Sequence, residues 1–268
     1  MRIDCLDEGA GPAVVLVHGG ASNYRQWRAL IDHLKGAFRV IAPNMHGVGA
    51  TPAWQGPGPY SLAAAGALIE RVCASIPGTL RLVGHSAGGV WAMQAAAQLG
   101  ARVEALVLLE AAAYDLLRQA GRDAAYREAR ALYDFVCRGT ERGEWSAIAE
   151  RFVNAFAGDG AWQTLSAERR ARVERLMRPN RAQWESLIGD RTTLAEWRAR
   201  LPQRTLFVGA ADTWPPLREI TQLFMEACPH WTYAHLAQGG HLVAFNRPEQ
   251  VNPMIMEFLA GEPRGARA

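Results

Sequence analysis

Arg81-Leu82-Val83-Gly84-His85-Ser86-Ala87-Gly88-Gly89 is the stretch that decides the fold. An apolar run over residues 80–83 stops at a glycine, and an alanine-rich helical pattern begins directly after Ser86. A chain that passes from strand to helix so abruptly must bend sharply, and its tip has little room for side chains. Gly84 and Gly88 stand two positions before and two after Ser86, where a side chain would clash with the bend. The bend pushes Ser86 onto a strained tip, hydroxyl exposed, with a helix N-terminus beneath it. A serine displayed in this way is a candidate nucleophile. It needs a base, an acid to orient that base, and donors for a developing oxyanion.

The surrounding pattern is consistent with that bend. Short, continuous apolar runs over residues 13–17, 38–42, 103–109, 205–208 and 231–236 predict strands buried on both faces, as in a parallel sheet. Residues 3–6 add a further short strand. Helical spacing alternates with these runs. Ser22-Asn23 offers a cap for Trp27, Leu30, Ile31 and Leu34, and helices are expected over 61–76, 217–227 and 248–259. The alternation implies an α/β fold with a doubly wound, mainly parallel sheet. After Glu110 the rhythm breaks. Residues 111–200 carry helical patterns alone, over 126–136, 145–156, 167–177, 181–188 and 194–201. The expected organisation is an α/β core of residues 1–110 and 202–260, an all-helical insertion over 111–201 and a frayed tail over 261–268.

Composition narrows the function classes. The chain has 268 residues, 49% hydrophobic and 21% charged, with net charge +3, which suits a globular domain with one large core. Lys35 is the sole lysine. The denser arginines at 169, 170, 172, 175 and 178 fall at helical spacing beside Glu168 and Glu174, a solvated helix face and not a nucleic-acid stripe. Four scattered cysteines without a Cys-x-x-Cys pair argue against a disulfide framework or a zinc site and fit a reducing compartment. Charges at the N-terminus argue against a signal peptide, and no apolar run approaches the ~18 residues of a membrane span. The expectation is a cytoplasmic protein, monomer or homodimer, without metal or cofactor and without a nucleic-acid partner.

The companions of Ser86 lie at strand ends. His241 follows the last strand in Gly239-Gly240-His241, and Asp212 follows the strand over 205–208. In a parallel sheet the carboxyl ends of the strands share one edge, so Ser86, Asp212 and His241 converge there. Glu110 ends the strand over 103–109 at the same edge. Asp212 also precedes Pro215-Pro216 and a helix, where a helix cap is the simpler role. The backbone N–H groups of Gly20, in His18-Gly19-Gly20, and of Ala87 are the candidate oxyanion donors.

In these pieces the chain resembles the α/β-hydrolase superfamily, over residues 1 to about 260. The resemblance rests on His18-Gly19-Gly20, the loop from Pro43 to Gly49, Gly84 to Gly88, Gly209 to Asp212, and Gly240-His241 with Arg247-Pro248-Glu249. Asn44 departs from the aspartate usual in the second piece. The order serine, acid, histidine also matches. The resemblance implies a helical cap after the sixth strand and two-step acyl transfer through an acyl-serine. Some relatives, haloalkane dehalogenases among them, take their acid from the strand end where Glu110 stands. The expected substrate is a small ester-like molecule with an apolar or aromatic group, held near Gly19, His85 and the tryptophans Trp145, Trp162 and Trp184 of the insertion. Thioesters, lactones, amides and carbon–carbon bonds beside a ketone follow. Hydroxynitrile lyases, cofactor-free dioxygenases and hormone receptors share the pattern and stand as alternatives.

Overall fold

A computed structural model describes residues 1–261, so the expected tail, Gly261 apart, lies outside the described residues. Seven strands form one sheet: β1 (Cys5–Glu8), β2 (Ala13–Val17), β3 (Arg39–Pro43), β4 (Leu80–His85), β5 (Val103–Leu109), β6 (Thr205–Ala210) and β7 (Thr232–Leu236). They lie in the order β1-β3-β2-β4-β5-β6-β7. β1 is antiparallel to β3 and every other neighbour is parallel. The first strand sits two residues later than the sequence suggested, because its register pairs Cys5 with Pro43 and Glu8 with Val40.

Between the strands run α1 (Arg28–Leu34), α2 (Leu62–Cys73) and α3 (Ala87–Leu99). The segment between β5 and β6 contains α4 (Tyr114–Gln119), α5 (Asp123–Arg142), α6 (Trp145–Ala157), α7 (Ala161–Thr164), α8 (Ala167–Leu176), α9 (Asn180–Ile188) and α10 (Leu194–Arg200), with no strand among them. The chain closes with α11 (Pro215–Ala227), α12 (Val243–Asn246) and α13 (Pro248–Ala260). The helical segment follows β5, the fifth strand in chain order and not the sixth, since only β1 to β4 precede β5 in this seven-stranded sheet. α5 runs far beyond the expected 126–136, up to Gly143, whose left-handed φ of 71° ends it. Its outer turns are arginine- and glutamate-rich and show no apolar period. α4 has none either, because Tyr114, Asp115, Leu116 and Leu117 are all buried.

The strands read as unbroken apolar runs because their alternate residues serve two cores. Val15, Leu82, Leu106 and Leu108 pack with Leu68, Ile69 and Trp91 of α2 and α3. Val14, Leu16, Val83, Val107 and Leu109 pack with Leu30, Ile31 and Leu34 of α1 and with Val251, Ile255 and Leu259 of α13. The insertion extends the first core through Leu132, Val136, Ile148, Trp184 and Leu187. α8 buries no residue, so its arginines do form a solvated face. No helix among the described residues is long and apolar enough to cross a membrane. Asn44 is buried and donates to the Asp4 carboxylate at 2.9 Å while accepting the amide of Tyr24 at 2.9 Å, which holds the loop after β3 to the sheet edge.

The bend at Ser86 is a tight joint between backbone segments. A Cβ on Gly88 would stand 2.3 Å from the backbone oxygens of both Val17 and His18, and one on Gly84 would stand 2.3 Å from the Gly88 carbonyl oxygen. Both sites are fenced by backbone, which cannot rotate away. Gly88→Ala is expected to destabilise the protein by about 1–3 kcal/mol, as overpacking of a close-packed joint does. Urea unfolding of the variant measures this, and an unchanged midpoint refutes it.

Candidate active site

Register builds the site. β4 pairs His85 with Leu109 of β5, so the residue after each strand, Ser86 and Glu110, meet side by side. The amide of Ser86 donates to the Leu109 carbonyl at 2.9 Å, and that of Glu110 donates to the Val208 carbonyl at 3.0 Å. Both residues are non-glycine positions in the left-handed region, at φ 55° and 51°. Such conformations cost energy and persist where the surroundings impose them. Here each presents its side chain over the sheet edge.

His241 reaches Ser86 from the turn Gly240–Leu242 after β7. Its Nε2 lies 3.0 Å from the Ser86 Oγ, placed to accept the hydroxyl proton. The ring is 4% exposed and sits between two others, His85 at 4.8 Å and Phe156 at 4.5 Å between centroids. The His85 Nε2 donates to the His241 carbonyl oxygen at 3.0 Å, a bracing role. Burial holds His241 far below the usual imidazole range, which keeps the ring neutral and able to act as a base.

Of the two candidate acids, the structure brings Glu110 to the ring. Its Oε2 lies 3.6 Å from His241 Nδ1, the ring atom that has no hydrogen-bond partner among the described residues. Glu110 Oε1 accepts the Ala210 amide at 2.8 Å, and Oε2 accepts the hydroxyl proton of Thr213. Burial pushes the Glu110 carboxyl up to about 7, against the Thr213 and Ala210 hydrogen bonds, which lower it. Asp212 does not reach His241, contrary to the first expectation from the sequence. Its exposed carboxylate turns to the glycine turn, accepting the amides of Gly239 at 3.2 Å and Gly240 at 2.8 Å. The reason is local. Thr213 and the Ala210 amide close on Glu110 and leave the inner position filled, so Asp212 ties down the loop that carries His241.

Gly20 and Ala87, whose amides were singled out as donors, are neighbours. A Cβ on Gly20 would lie 3.8 Å from that of Ala87, and neither N–H has an acceptor among the described residues. The peptide planes before Gly20 are clamped. The Gly19 amide donates to Gln26 Oε1 at 3.2 Å. The Gly19 carbonyl accepts His18 Nδ1–H at 2.7 Å, and His18 Nε2 accepts the Met45 amide at 3.0 Å, which fixes the tautomer. Burial holds His18 down at about 4, so the ring stays neutral in that role. Gly19 itself packs against His85, 2.8 Å from its Nδ1 by an added Cβ.

A cavity of about 200 Å³ opens beside Ser86, His85, His241 and Gly20. Its far wall comes from the insertion, chiefly Phe152 and Phe156 of α6 with Val173 and Met177, and Phe245 closes one side. None of Trp145, Trp162 and Trp184 lines it. Trp184 stacks flat on Tyr114, with centroids 4.9 Å apart. Trp145 and Trp162 lie under the guanidinium groups of Arg178 and Arg170, at 5.2 and 5.5 Å. The phenylalanines were visible only as part of the helix over 145–156, where Phe152 and Phe156 share a face four residues apart. Thr213 carried no signal beyond its place next to Asp212. No cluster of three metal-ligating side chains occurs among the described residues.

Comparison with known proteins bears on the family and the fold. A family model described as "Alpha/beta hydrolase family" matches residues 14–254. Among curated proteins, the pimeloyl-[acyl-carrier protein] methyl ester esterase of Aeromonas hydrophila is 26% identical over 72% of this chain and 63% of its own length. An uncharacterised protein of Mycobacterium tuberculosis matches over 30% of its length, so the chain spans well short of these relatives. Among solved structures, an esterase of Exiguobacterium antarcticum superposes with a TM-score of 0.77 at 19% identity, covering 97% of this chain and 96% of that one. At that identity the likeness concerns the fold.

The pairing of Glu110 with His241 has a measurable consequence. The folded pair binds one proton as pH falls through about 7, because Glu110 is raised and His241 lowered. In Glu110→Gln only the buried imidazole is left to titrate, so proton uptake moves well below the usual histidine value of 6.5. In Asp212→Asn it stays near 7. Nitrogen-15 NMR of the His241 ring reads both, and a shift in the Asp212 variant alone overturns the pairing.

Proposed function

The chain belongs to the alpha/beta hydrolase family, and on that basis we propose that it is a serine hydrolase acting on an ester-like bond of a small apolar or aromatic substrate. The observation that carries this reading is the 3.0 Å contact of Ser86 Oγ with His241 Nε2, at a bend flanked by the unoccupied amides of Gly20 and Ala87. A hydroxyl held on a neutral, buried imidazole is an activated nucleophile.

In the proposed reaction Ser86 Oγ attacks the substrate carbonyl carbon as its proton passes to His241 Nε2. The carbonyl oxygen, now an anion, is held by the Gly20 and Ala87 amides. Glu110 stabilises the imidazolium from the Nδ1 side. His241 then gives the proton to the leaving alkoxide, and the C–O bond breaks to leave an acyl-serine. Water, deprotonated by His241, attacks that acyl group, and the bond from the acyl carbon to Ser86 Oγ breaks as His241 returns the proton to Oγ, releasing the acid. The sequence requires no metal, cofactor or second subunit. Glu110 replaces Asp212 as the proposed acid, and Asp212 becomes a positioning residue for the histidine turn.

The substrate class follows from the walls. Phe152, Phe156, Val173 and Met177 leave a chamber of about 200 Å³ for the apolar part. Residues 111–201 thus serve as a cap that selects the substrate over a core of residues 1–110 and 202–260. The esterase among the curated relatives is in keeping with an ester bond.

A fluorophosphonate probe followed by peptide mapping tests the reading. The expected outcome is one adduct, on Ser86, together with hydrolysis of short-chain or aryl esters that Ser86→Ala lowers by at least about 10⁴-fold. Folded protein that takes no adduct at Ser86 overturns it.

A further inference from the structure

The peptide after the oxyanion glycine is held by a residue of the helical insertion. Ala21 adopts φ 51°, a left-handed conformation at a residue with a Cβ. Its amide donates to Gln183 Oε1 at 3.0 Å, across 162 residues of chain. Gln183 lies on α9 and is 2% exposed. Its orientation is fixed by chemistry, because only the side-chain oxygen accepts a proton from Ala21. The Nε2 end is then left buried without a partner, which is a cost to the fold. An apolar side chain would avoid that cost, so packing alone does not account for a glutamine there.

α9 is referenced in turn to the nucleophile. Trp91, fully buried on α3 directly behind Ser86, donates its Nε1 proton to Ser186 Oγ at 3.0 Å. Ser186 Oγ donates to the Gln183 carbonyl oxygen at 2.7 Å. The chain of contacts therefore runs from the helix that carries Ser86, through α9, to the residue that follows Gly20. With Gly19 held by Gln26 and the Gly19 carbonyl by His18, Gly20 lines the cavity and its N–H has no acceptor among the described residues.

We propose that Gln183 is a positioning residue of the oxyanion site, so that the insertion acts on the transition state as well as on substrate choice. The inference rests on the serine-hydrolase reading. Releasing Ala21 lets its left-handed turn relax and swings Gly20 N–H off the line to the oxyanion. A misplacement of that size in a preorganised donor costs roughly 10- to 100-fold in rate.

The test compares Gln183→Leu with the wild type on an ester that the wild type turns over and on two ligands. One is a trifluoromethyl ketone, on which Ser86 adds to the carbonyl, its proton passes to His241 and the ketone oxygen becomes the anion. The other is the matching methyl ketone, which binds uncharged. The variant is expected to lose roughly 10- to 100-fold in kcat with KM within about twofold, and to weaken on the trifluoromethyl ketone in the same proportion while holding the methyl ketone. Should Gln183→Leu not fold, Gln183→Met is to give the same split. Equal weakening on both ketones, or on neither, overturns the role of Gln183. A wild type that takes neither fluorophosphonate nor trifluoromethyl ketone at Ser86 overturns the hydrolase reading itself.

Discussion

Everything at this sheet edge depends on one run of hydrogen bonds crossing three strands. Ser86 N–H bonds the last carbonyl of β5, Glu110 N–H bonds Val208 of β6, and the Ala210 amide comes back to the Glu110 carboxylate. The ladder fixes the two strained residues against each other. Each left-handed position costs on the order of 1–3 kcal/mol, and neither is tolerable at a free chain end. Between parallel strands buried on both faces, the backbone groups have no alternative partner and no water. The strain is therefore held by the same bonds that make the sheet.

That ladder also explains why a carboxylate can be buried next to a histidine. Glu110 is 1% exposed, and isolated burial of this kind drives a carboxyl towards its neutral form. Two fixed donors, the Ala210 amide and the Thr213 hydroxyl, oppose that drive, and the unpartnered Nδ1 of His241 stands within reach. Charge on the glutamate and charge on the imidazole each become acceptable when the other is present. A pair arranged in this way is neutral overall at rest and gains most when a proton arrives on the ring, which is the moment a base is used.

Much of this was legible in the sequence, for a physical reason. Glycines at 84 and 88 report sterics that only a sharp bend or a close backbone approach imposes, so the bend and the serine could be placed from residue identity alone. His241 followed from its place after the last strand. Which carboxylate approaches the ring did not follow, because Asp212 and Glu110 both stand at strand ends. Which one turns inward depends on the β5–β6 register and on Thr213, neither of which has a local signature. The tryptophans misled for a related reason. Their bulk announces burial but not the partner, and Trp184 found Tyr114 where a ligand was expected. The cavity wall fell to Phe152 and Phe156, whose spacing resembles that of any core helix.

A carboxylate that meets His241 from the end of β5, and not from the loop after β6, has a structural consequence. A carboxylate at residue 212 would be held only by a loop and would share the mobility of that loop. Glu110 is bonded at its backbone and at both carboxylate oxygens to the sheet and to Thr213. Asp212, relieved of the inner position, binds two consecutive amides in a turn whose glycines sit at φ 139° and 58°. Such a turn has few backbone partners of its own, and a carboxylate across two N–H groups supplies them. The carboxylate beside the ring is thus anchored in the sheet, while a second carboxylate ties down the turn that carries His241. Both ends of the Ser86–His241 contact are then fixed, one by the sheet and the other by Asp212. The insertion is left to shape the chamber and, through α9, the turn at Gly20.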